Sequence, residues 1–92
     1  MKKSDLKVNM IVEQREGCKF ILMRFKKKLY MVSAQEYDNL DFYTDDLKEP
    51  TNTNYDIVKI YQPNNVWDLK ESFWDQLTEE QLIWERKENK NE

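Results

Sequence analysis

Apolar and polar side chains alternate most regularly between residues 55 and 62. Val58 and Ile60 fall on one side of an extended chain, and Lys59 falls on the other. A period of two with β-branched and aromatic residues is typical of a β-strand. Pro63 ends the strand, because proline cannot donate a hydrogen bond to a neighbour. The pattern predicts a central strand here, with Val58 and Ile60 in the core.

Three further apolar stretches precede it and predict a run of hairpins. A first strand is expected at residues 8–14, followed by Gly17, the only glycine in the chain. Glycine reaches positive φ at little cost and therefore marks a tight turn. The continuous apolar run at 20–25 is typical of a strand packed on both faces, and the strand at 29–33 returns from it.

The end of the chain permits two interpretations. Residues 78–81 fit a capping box, which would begin a helix at Glu79. Residues 82–86 instead alternate acceptably as an aromatic-rich strand. We favour the strand, because it can pair beside residues 55–62. Residues from about 87 to 92 are polar, and we expect a flexible tail there.

Two polar excursions interrupt the strands. In the first, residues 34–54, we expect Leu40, Phe42 and Tyr43 to hold the chain to the core, and one helical turn to follow Thr44. In the second, residues 64–78, the spacing of apolar side chains favours a short helix at 69–77. Together the elements predict a single mainly β domain over residues 1–92, a small antiparallel five-stranded SH3-like barrel with short helical excursions.

Composition excludes several classes of protein. The chain has 92 residues, of which 12 are aromatic, and this is too many for a disordered chain. It has one cysteine, Cys18, so an intramolecular disulfide is impossible, as suits a reducing compartment. The start lacks the apolar run of a signal peptide, and no stretch is long enough to span a membrane. We therefore expect a cytoplasmic protein.

Few residues of the chain suit catalysis or the binding of a metal or cofactor. The chain has no histidine, which removes the usual general base and the commonest metal ligand. One glycine cannot build a phosphate-binding loop. Cys18 lies near Lys19 and Arg15 and could be reactive, but a small residue at a strand start explains it better. The sequence therefore predicts no enzyme activity, no cofactor and no metal site.

Charge divides the chain into two halves. Residues 1–37 carry 9 Lys/Arg and 4 Asp/Glu, hence +5, whereas residues 38–92 carry 6 and 14, hence −8. Such asymmetry can mark an interaction surface, although folding can also mix the halves into an ordinary solvated surface. The net charge of −3 disfavours nucleic acid as the partner.

An acidic stretch within the first excursion is the leading candidate for a binding surface. Five acids fall within twelve residues. Either a solvated loop or a patch that faces a partner would explain them. The predicted partner-binding residues are the acids, two tyrosines as apolar anchors and two tryptophans: Asp38, Asp41, Asp45, Asp46, Glu49, Tyr37, Tyr43, Trp67 and Trp74. A partner protein with a basic surface would suit them.

A basic stretch supports an alternative function. The residues Arg24, Lys26, Lys27 and Lys28 lie beside Phe20, Phe25 and Tyr30. Basic residues interleaved with aromatic ones on a small barrel suit single-stranded nucleic acid. A solubilising hairpin tip, with the aromatic side chains in the core beneath it, explains the same residues.

Five segments, taken in order, carry a resemblance to a known group. They are Asp5 to Glu13, Arg15 to Gly17, Tyr43 to Leu47, Tyr55 to Tyr61 and Leu82 to Arg86. In this order the chain resembles a group of small phage and prophage proteins of Gram-positive bacteria, with Asn9 where that group has glycine. The resemblance covers about two thirds of the chain. It implies a mobile-element origin and a final strand at 82–86, and it implies no activity.

The sequence thus predicts a small non-enzymatic protein that acts by binding a host protein with a basic surface. The phage setting, which rests on the resemblance alone, makes a host defence factor a candidate target in the host cytoplasm. The alternative is a module that binds single-stranded nucleic acid through the lysine hairpin.

Overall fold

The computed structural model describes residues 1–63, 77 and 79–87. Its strands are β1 (Ile11–Gln14), β2 (Lys19–Phe25), β3 (Lys28–Val32), β4 (Tyr37–Asn39), β5 (Ile57–Tyr61) and β6 (Leu82–Glu85). Short 3-10 turns occupy Lys3–Asp5, Leu40–Phe42, Thr53–Tyr55 and Glu79–Gln81. The described part contains no α-helix, so the chain is mainly β, as predicted.

The strands form one open antiparallel sheet in the order β4-β3-β2-β1-β5-β6. The sequence predicted five strands, and the described residues form six. The additional strand is β4, which pairs with the outer side of β3. The strand predicted to be central, β5, lies second from one edge, and β1 and β2 occupy the middle.

One face of the sheet carries the main core. Its buried side chains come from four strands, the N-terminal segment and the loops between β4 and β5: Leu6, Met10, Val12, Phe20, Leu22, Met31, Leu40, Tyr43, Leu47, Ile57 and Ile60. The loops must cover this face, because no helix of the described part lies across it. This explains why isolated apolar residues in a polar stretch become fully buried.

The opposite face carries a smaller second cluster. Ile11, Ile21 and Tyr61 are buried there, with Val32, Leu77 and Leu82 packed against them. The middle strands β1 and β2 therefore bury side chains on both faces where they pair with each other. The prediction that the apolar run at 20–25 packs on both faces holds for Phe20 to Leu22 alone, because residues 23–25 are exposed.

The first strand begins later than predicted, at Ile11 rather than residue 8. Asn9 adopts φ 77, a left-handed conformation that asparagine tolerates better than most residues. The Asn9 amide still donates to the Leu22 carbonyl, and the Leu22 amide donates to the Met10 carbonyl. The bend brings Met10 into the main core and leaves Val8 exposed.

The turn predicted at Gly17 and the lysine turn predicted after the 20–25 strand are both present. Gly17 has φ 103, which only glycine adopts without strain. Lys26 and Lys27 connect β2 to β3 and have φ of 50 and 69. Two successive positive φ values are the requirement of a type I′ hairpin turn, whose twist matches that of the flanking strands. The lysine tip therefore has a turn geometry that lysine itself does not favour.

The alternation in β5 is interrupted opposite β1. Glu13 pairs with Lys59 and Gln14 pairs with Ile57, so Val58 is passed over. Such a bulge reverses the side on which the following residue points. Ile57 and Ile60 consequently share the main core, and Val58 is half-buried outside it. The prediction is confirmed for Ile60 and wrong for Val58.

The excursion between β4 and β5 has turns where a helical turn was predicted after Thr44. Leu47 adopts φ 64, which ends any helical continuation, and its side chain is fully buried. The Lys48 amide donates to the Thr44 hydroxyl at 3.2 Å. Leu40 and Tyr43 hold the excursion to the core as predicted, whereas Phe42 is exposed.

The final strand, β6, confirms the strand interpretation of residues 82–86. It pairs antiparallel with β5, after a single 3-10 turn at Glu79–Gln81. The Arg86 guanidinium donates to the backbone carbonyls of Asp46, Leu47 and Ile57. Trp84 is half-buried and packs against the main core.

Several predictions fall outside the described residues. These are the helix at 69–77 except Leu77, the side chains of Trp67 and Trp74, and the tail except Lys87, which is exposed.

Candidate functional site

The five acids predicted as one patch separate into three groups. Asp38 and Glu49 line a common cleft. Asp41 lies elsewhere and pairs with Lys28, with its carboxylate 3.1 Å from the ammonium. Asp45 and Asp46 are exposed, and their backbone carbonyls accept hydrogen bonds from the Lys3 amide and the Arg86 guanidinium. Proximity in sequence therefore does not make these acids a single surface.

We call the first of these places the acidic cleft. Four carboxylates and two aromatic rings define it: Glu16, Glu36, Asp38, Glu49, Phe42 and Tyr55. Its volume is about 400 Å³. Within the described residues, none of the four carboxylates forms an ion pair with lysine or arginine. Phe42 is 68% exposed and Tyr55 is 39% exposed, so apolar surface lies beside uncompensated negative charge.

Buried polar groups hold the cleft in shape. Asp56 is 4% exposed, accepts a hydrogen bond from the Glu49 amide at 2.8 Å, and lies 3.2 Å from the Arg15 guanidinium. The Arg15 amide donates to the Asp56 carbonyl, and the Glu16 amide donates to the Asn54 carbonyl. The β1–β2 turn and the 49–56 loop are thereby joined. These hydrogen bonds bring Glu16 and Glu49 to the same acidic cleft.

Tyr43 forms the floor of the cleft and not an exposed anchor. It is 5% exposed, its hydroxyl accepts from the Gln14 amide at 3.0 Å, and it donates to the Tyr55 carbonyl at 2.7 Å. Tyr43 was predicted as an apolar anchor for a partner, and the structure places its ring in the core and engages its hydroxyl within the chain. Tyr37, the other predicted anchor, is 73% exposed on the opposite face of the sheet.

The negative charge of the cleft contributes to a raised pKa of Tyr43. The pKa of Tyr43 is raised from 10.0 to about 12, first by burial; the Gln14 hydrogen bond opposes the shift, and the charges of Glu49, Asp38 and Asp56 contribute to it. A negative potential disfavours the phenolate here. The same potential would favour a cation at the mouth of the cleft.

A second exposed surface lies on the other face of the sheet, along the second half of β2 and the neighbouring residues of β3. We call it the aromatic strip, and its members are Met23, Phe25, Tyr30, Val32 and Tyr37. Together with Arg24 they line a groove of about 550 Å³. The predicted basic residues Lys26, Lys27 and Lys28 form the turn at the end of this strip. The aromatic residues beneath the lysines were expected in the core, and for Phe25 the structure shows the opposite.

The described residues offer little for covalent or metal chemistry. They contain no group of three acid or cysteine side chains that could hold a metal ion. Cys18 is exposed, and a hydrogen bond with Glu16 raises the pKa of its thiol, with burial and the charges of Glu16 and Glu36 adding to the shift. A raised pKa lowers the thiolate fraction and hence the nucleophilicity of the sulfur.

Sequence reasoning missed two of the four cleft carboxylates, Glu16 and Glu36. Glu16 appeared only as part of a turn, and Glu36 as part of a polar loop. Twenty residues separate them in the chain, and only the pairing of β1 through β4 brings their loops together. No local motif could have indicated this.

Comparison of the chain with family models, with curated proteins and with solved structures gives no match. The described residues also contain no helix that is long and apolar enough to cross a membrane.

Proposed function

We propose that this protein is a non-enzymatic binding module that captures a protein with a basic surface. The observation that carries the proposal is the acidic cleft, where four carboxylates without a cationic partner in the described residues surround a 400 Å³ opening beside exposed aromatic rings.

A lysine or arginine side chain of the partner is the group that suits this opening. Its cationic head meets Glu16, Glu36, Asp38 and Glu49, while its stem packs against Phe42 and Tyr55. An aromatic face attracts a nearby cation, so the rings contribute electrostatically as well as through apolar burial. The carboxylates speed the encounter, and the aromatic contacts slow dissociation.

The biological setting belongs to the same proposal. A host protein is the partner that a phage-type origin suggests, with a host defence factor as one candidate and the host cytoplasm as the location. These points rest on the resemblance of the sequence segments to phage and prophage proteins. An SH3-like barrel is the finer form of the fold that belongs to this proposal, beyond the open sheet and its loop-covered core.

The test uses a defined cationic probe, a fluorescein-labelled nona-arginine peptide, with binding measured by anisotropy. Reversing Glu36 and Asp38 to lysine should weaken binding at least tenfold and reduce its salt dependence, because both side chains are exposed and line the cleft. The matched control reverses Asp45 and Asp46, two exposed acids outside the cleft, with the same change in net charge.

The two double variants separate a site from a general charge effect. If both weaken peptide binding equally, net charge alone explains the attraction and the proposal fails. Phe42→Ala provides a second measure, since removal of an exposed ring should mainly speed dissociation of the peptide. Unchanged dissociation in this variant would remove the aromatic wall from the proposed site.

A further inference from the structure

The aromatic strip is a feature that the acidic cleft does not explain. Three of its side chains are large and exposed: Phe25 at 61%, Tyr37 at 73% and Met23 at 48%. Exposed aromatic residues that adjoin one another, rather than lie singly, generally mark an interaction surface. Of its members, Val32 packs against the second cluster, whereas Met23, Phe25, Tyr30 and Tyr37 belong to neither cluster, so core packing does not account for the exposed rings.

Strand pairing places the strip on one face of the sheet. Met23 pairs with Tyr30, Ile21 pairs with Val32, and Val32 pairs with Tyr37. Residues that pair across strands point to the same side, so the strip continues the face of the second cluster. The alternation in β4 points Asp38 to the other side. The acids of the cleft and the aromatic side chains of the strip are thereby separated by the sheet.

The rings of the strip form a continuous series. The centroids of Phe25 and Tyr30 are 6.3 Å apart at 71°, and those of Tyr30 and Tyr37 are 6.3 Å apart at 63°. Edge contacts of this kind fix the orientation of each ring. A surface of oriented aromatic rings on a β-sheet can stack planar ligands such as nucleobases, whatever their sequence, because every base has a π-face.

Positive charge lies at one end of this series. The Lys26 ammonium lies 5.5 Å from the centroid of the Phe25 ring, Lys27 completes the turn, and Arg24 lines the groove. Lys28 is less available, because Asp41 binds its ammonium at 3.1 Å. Phosphate groups adjacent to stacked bases would meet the three remaining cations. Because the strip is flanked by positive charge, a ligand that carries phosphate groups suits it better than an uncharged apolar ligand.

We infer that the aromatic strip binds single-stranded nucleic acid, with bases stacked on Phe25, Tyr30 and Tyr37 and phosphates contacting Arg24, Lys26 and Lys27. A duplex would not suit the strip, because its bases are already stacked on one another. This surface and the acidic cleft lie on opposite faces of the sheet. The inference therefore does not depend on the proposed protein partner.

The test is fluorescence anisotropy of the full-length protein with 5′-fluorescein-labelled dT15 and rU15 between 50 and 200 mM salt. Three phosphate contacts give a slope of about −2 in log affinity against log salt, hence a fall of about 20-fold over this range. Phe25→Ala with Tyr37→Ala should weaken binding at least tenfold and leave this slope unchanged, because stacking releases no counterions.

A second variant removes charge without disturbing the turn. Replacing Lys26 with Asn and Lys27 with Gly supplies the pair that a type I′ turn prefers, so the hairpin is kept. The slope should then decrease in magnitude by about 1.4, the share of two phosphate contacts. Ile83→Ala is the control for the ring variants, since Ile83 is also an exposed apolar side chain but lines neither the strip nor the acidic cleft, and this variant should bind as the unaltered chain does.

Four results would overturn the inference. They are no detectable binding at 50 mM salt, unchanged binding after loss of Phe25 and Tyr37, a labelled 15-base-pair duplex bound as tightly as dT15, and equal weakening by Ile83→Ala. Sedimentation of the chain without oligonucleotide completes the test. A self-association that Phe25→Ala abolishes, with no effect on dT15 binding, would assign the strip to a second copy of the chain.

Discussion

The two ends of β2 contrast strongly although they belong to one apolar run. At its start, Phe20 and Leu22 are fully buried in the main core, and the strand adjoins the β1–β2 turn that contributes Glu16 to the acidic cleft. At its far end, Met23 and Phe25 are exposed, and the strand leads into the lysine turn. One strand thus connects an acidic, well-packed region to a basic, aromatic one.

The difference arises from the length of β1. Direct pairing of β1 with β2 extends from Lys19 to Ile21, and the bend at Asn9 and Met10 supplies the last hydrogen bonds to Leu22. Beyond Leu22, β2 pairs only with β3. With β3 on one side and no paired strand of the described residues on the other, this end of β2 gives its side chains few neighbours to bury them. Burial along an apolar strand is therefore decided by its neighbouring strands as much as by its own sequence.

The largest expected effect compares two phenylalanines of β2. Phe20→Ala should lower the free energy of unfolding by about 3–5 kcal/mol, because it leaves a cavity in the main core. Phe25→Ala should cost about 1 kcal/mol, the value of an exposed ring contact with Tyr30. Urea denaturation of both variants measures this contrast. Equal losses would show that the two ends of β2 are packed alike.

The bulge in β5 produces a second contrast between buried and half-buried side chains, within one strand. Ile57→Ala and Ile60→Ala should each cost about 2–5 kcal/mol, because both side chains are fully buried in the main core. Val58→Ala should cost less than half as much, since Val58 is half-buried outside that core. The same denaturation experiment applies. A Val58 loss as large as that at Ile57 would restore the simple alternation and contradict the bulge.

Alkaline pH should weaken the packed end selectively. The pKa of Tyr43 is raised from 10.0 to about 12, chiefly by burial, so the folded state favours the neutral phenol. The stability from this tyrosine is complete below pH 10 and is lost as the pH rises through about 12. Denaturation midpoints measured from pH 9 to 12 should fall more in the unaltered chain than in Tyr43→Phe. Equal falls would indicate that another group governs the alkaline loss.

Substitutions in the lysine turn should stabilise the protein, whereas a substitution in the Gly17 turn should destabilise it. The double substitution of Lys26 by Asn and Lys27 by Gly should raise the free energy of unfolding by about 1 kcal/mol, because it relieves two positive φ values. Thermal unfolding checks the gain. The matched control, Gly17→Ala, should be destabilising, since Gly17 at φ 103 already has the residue that its conformation requires. A destabilised lysine-turn variant would contradict the turn type.

The smallest effect concerns Cys18, next to the packed end of β2. Its thiol pKa is raised from 9.0, first by the hydrogen bond with Glu16, so alkylation by iodoacetamide at pH 8 should be slower than for a free cysteine. Glu16→Gln should speed alkylation by lowering that pKa, whereas Glu80→Gln, a change at an exposed acid of the 3-10 turn before β6, should leave the rate unchanged. No difference between the two variants would show that Glu16 does not control the thiol.

The sequence was sufficient to predict the elements whose signals are local. The hairpin around Lys26 and Lys27, the strand at 55–62 and the strand at 82–86 follow from alternation and turn residues, and all three are present. β4 was missed because its three residues, Tyr37–Asn39, carry no alternating apolar pattern. It forms because β3 offers a free edge, which is a property of the sheet and not of the segment.

The candidate sites were less predictable, for reasons of the same kind. Phe25 is exposed because β1 is short, and Glu16 and Glu36 meet because two distant turns are joined by the sheet. Ile57 entered the main core through a bulge, which no sequence periodicity reveals. In each case the deciding interaction joins residues far apart in the chain.

The pairing of β1 with β5 has a consequence for how the chain acquires its fold. Strands β1 to β4 are consecutive neighbours and can form while they are being synthesised, whereas Ile11 must wait for Tyr61, fifty residues later. Closing a loop of this length costs chain entropy before any contact offsets it. We expect docking of β5 to limit the folding rate, with the open edge of β1 exposed to other nascent chains until it occurs.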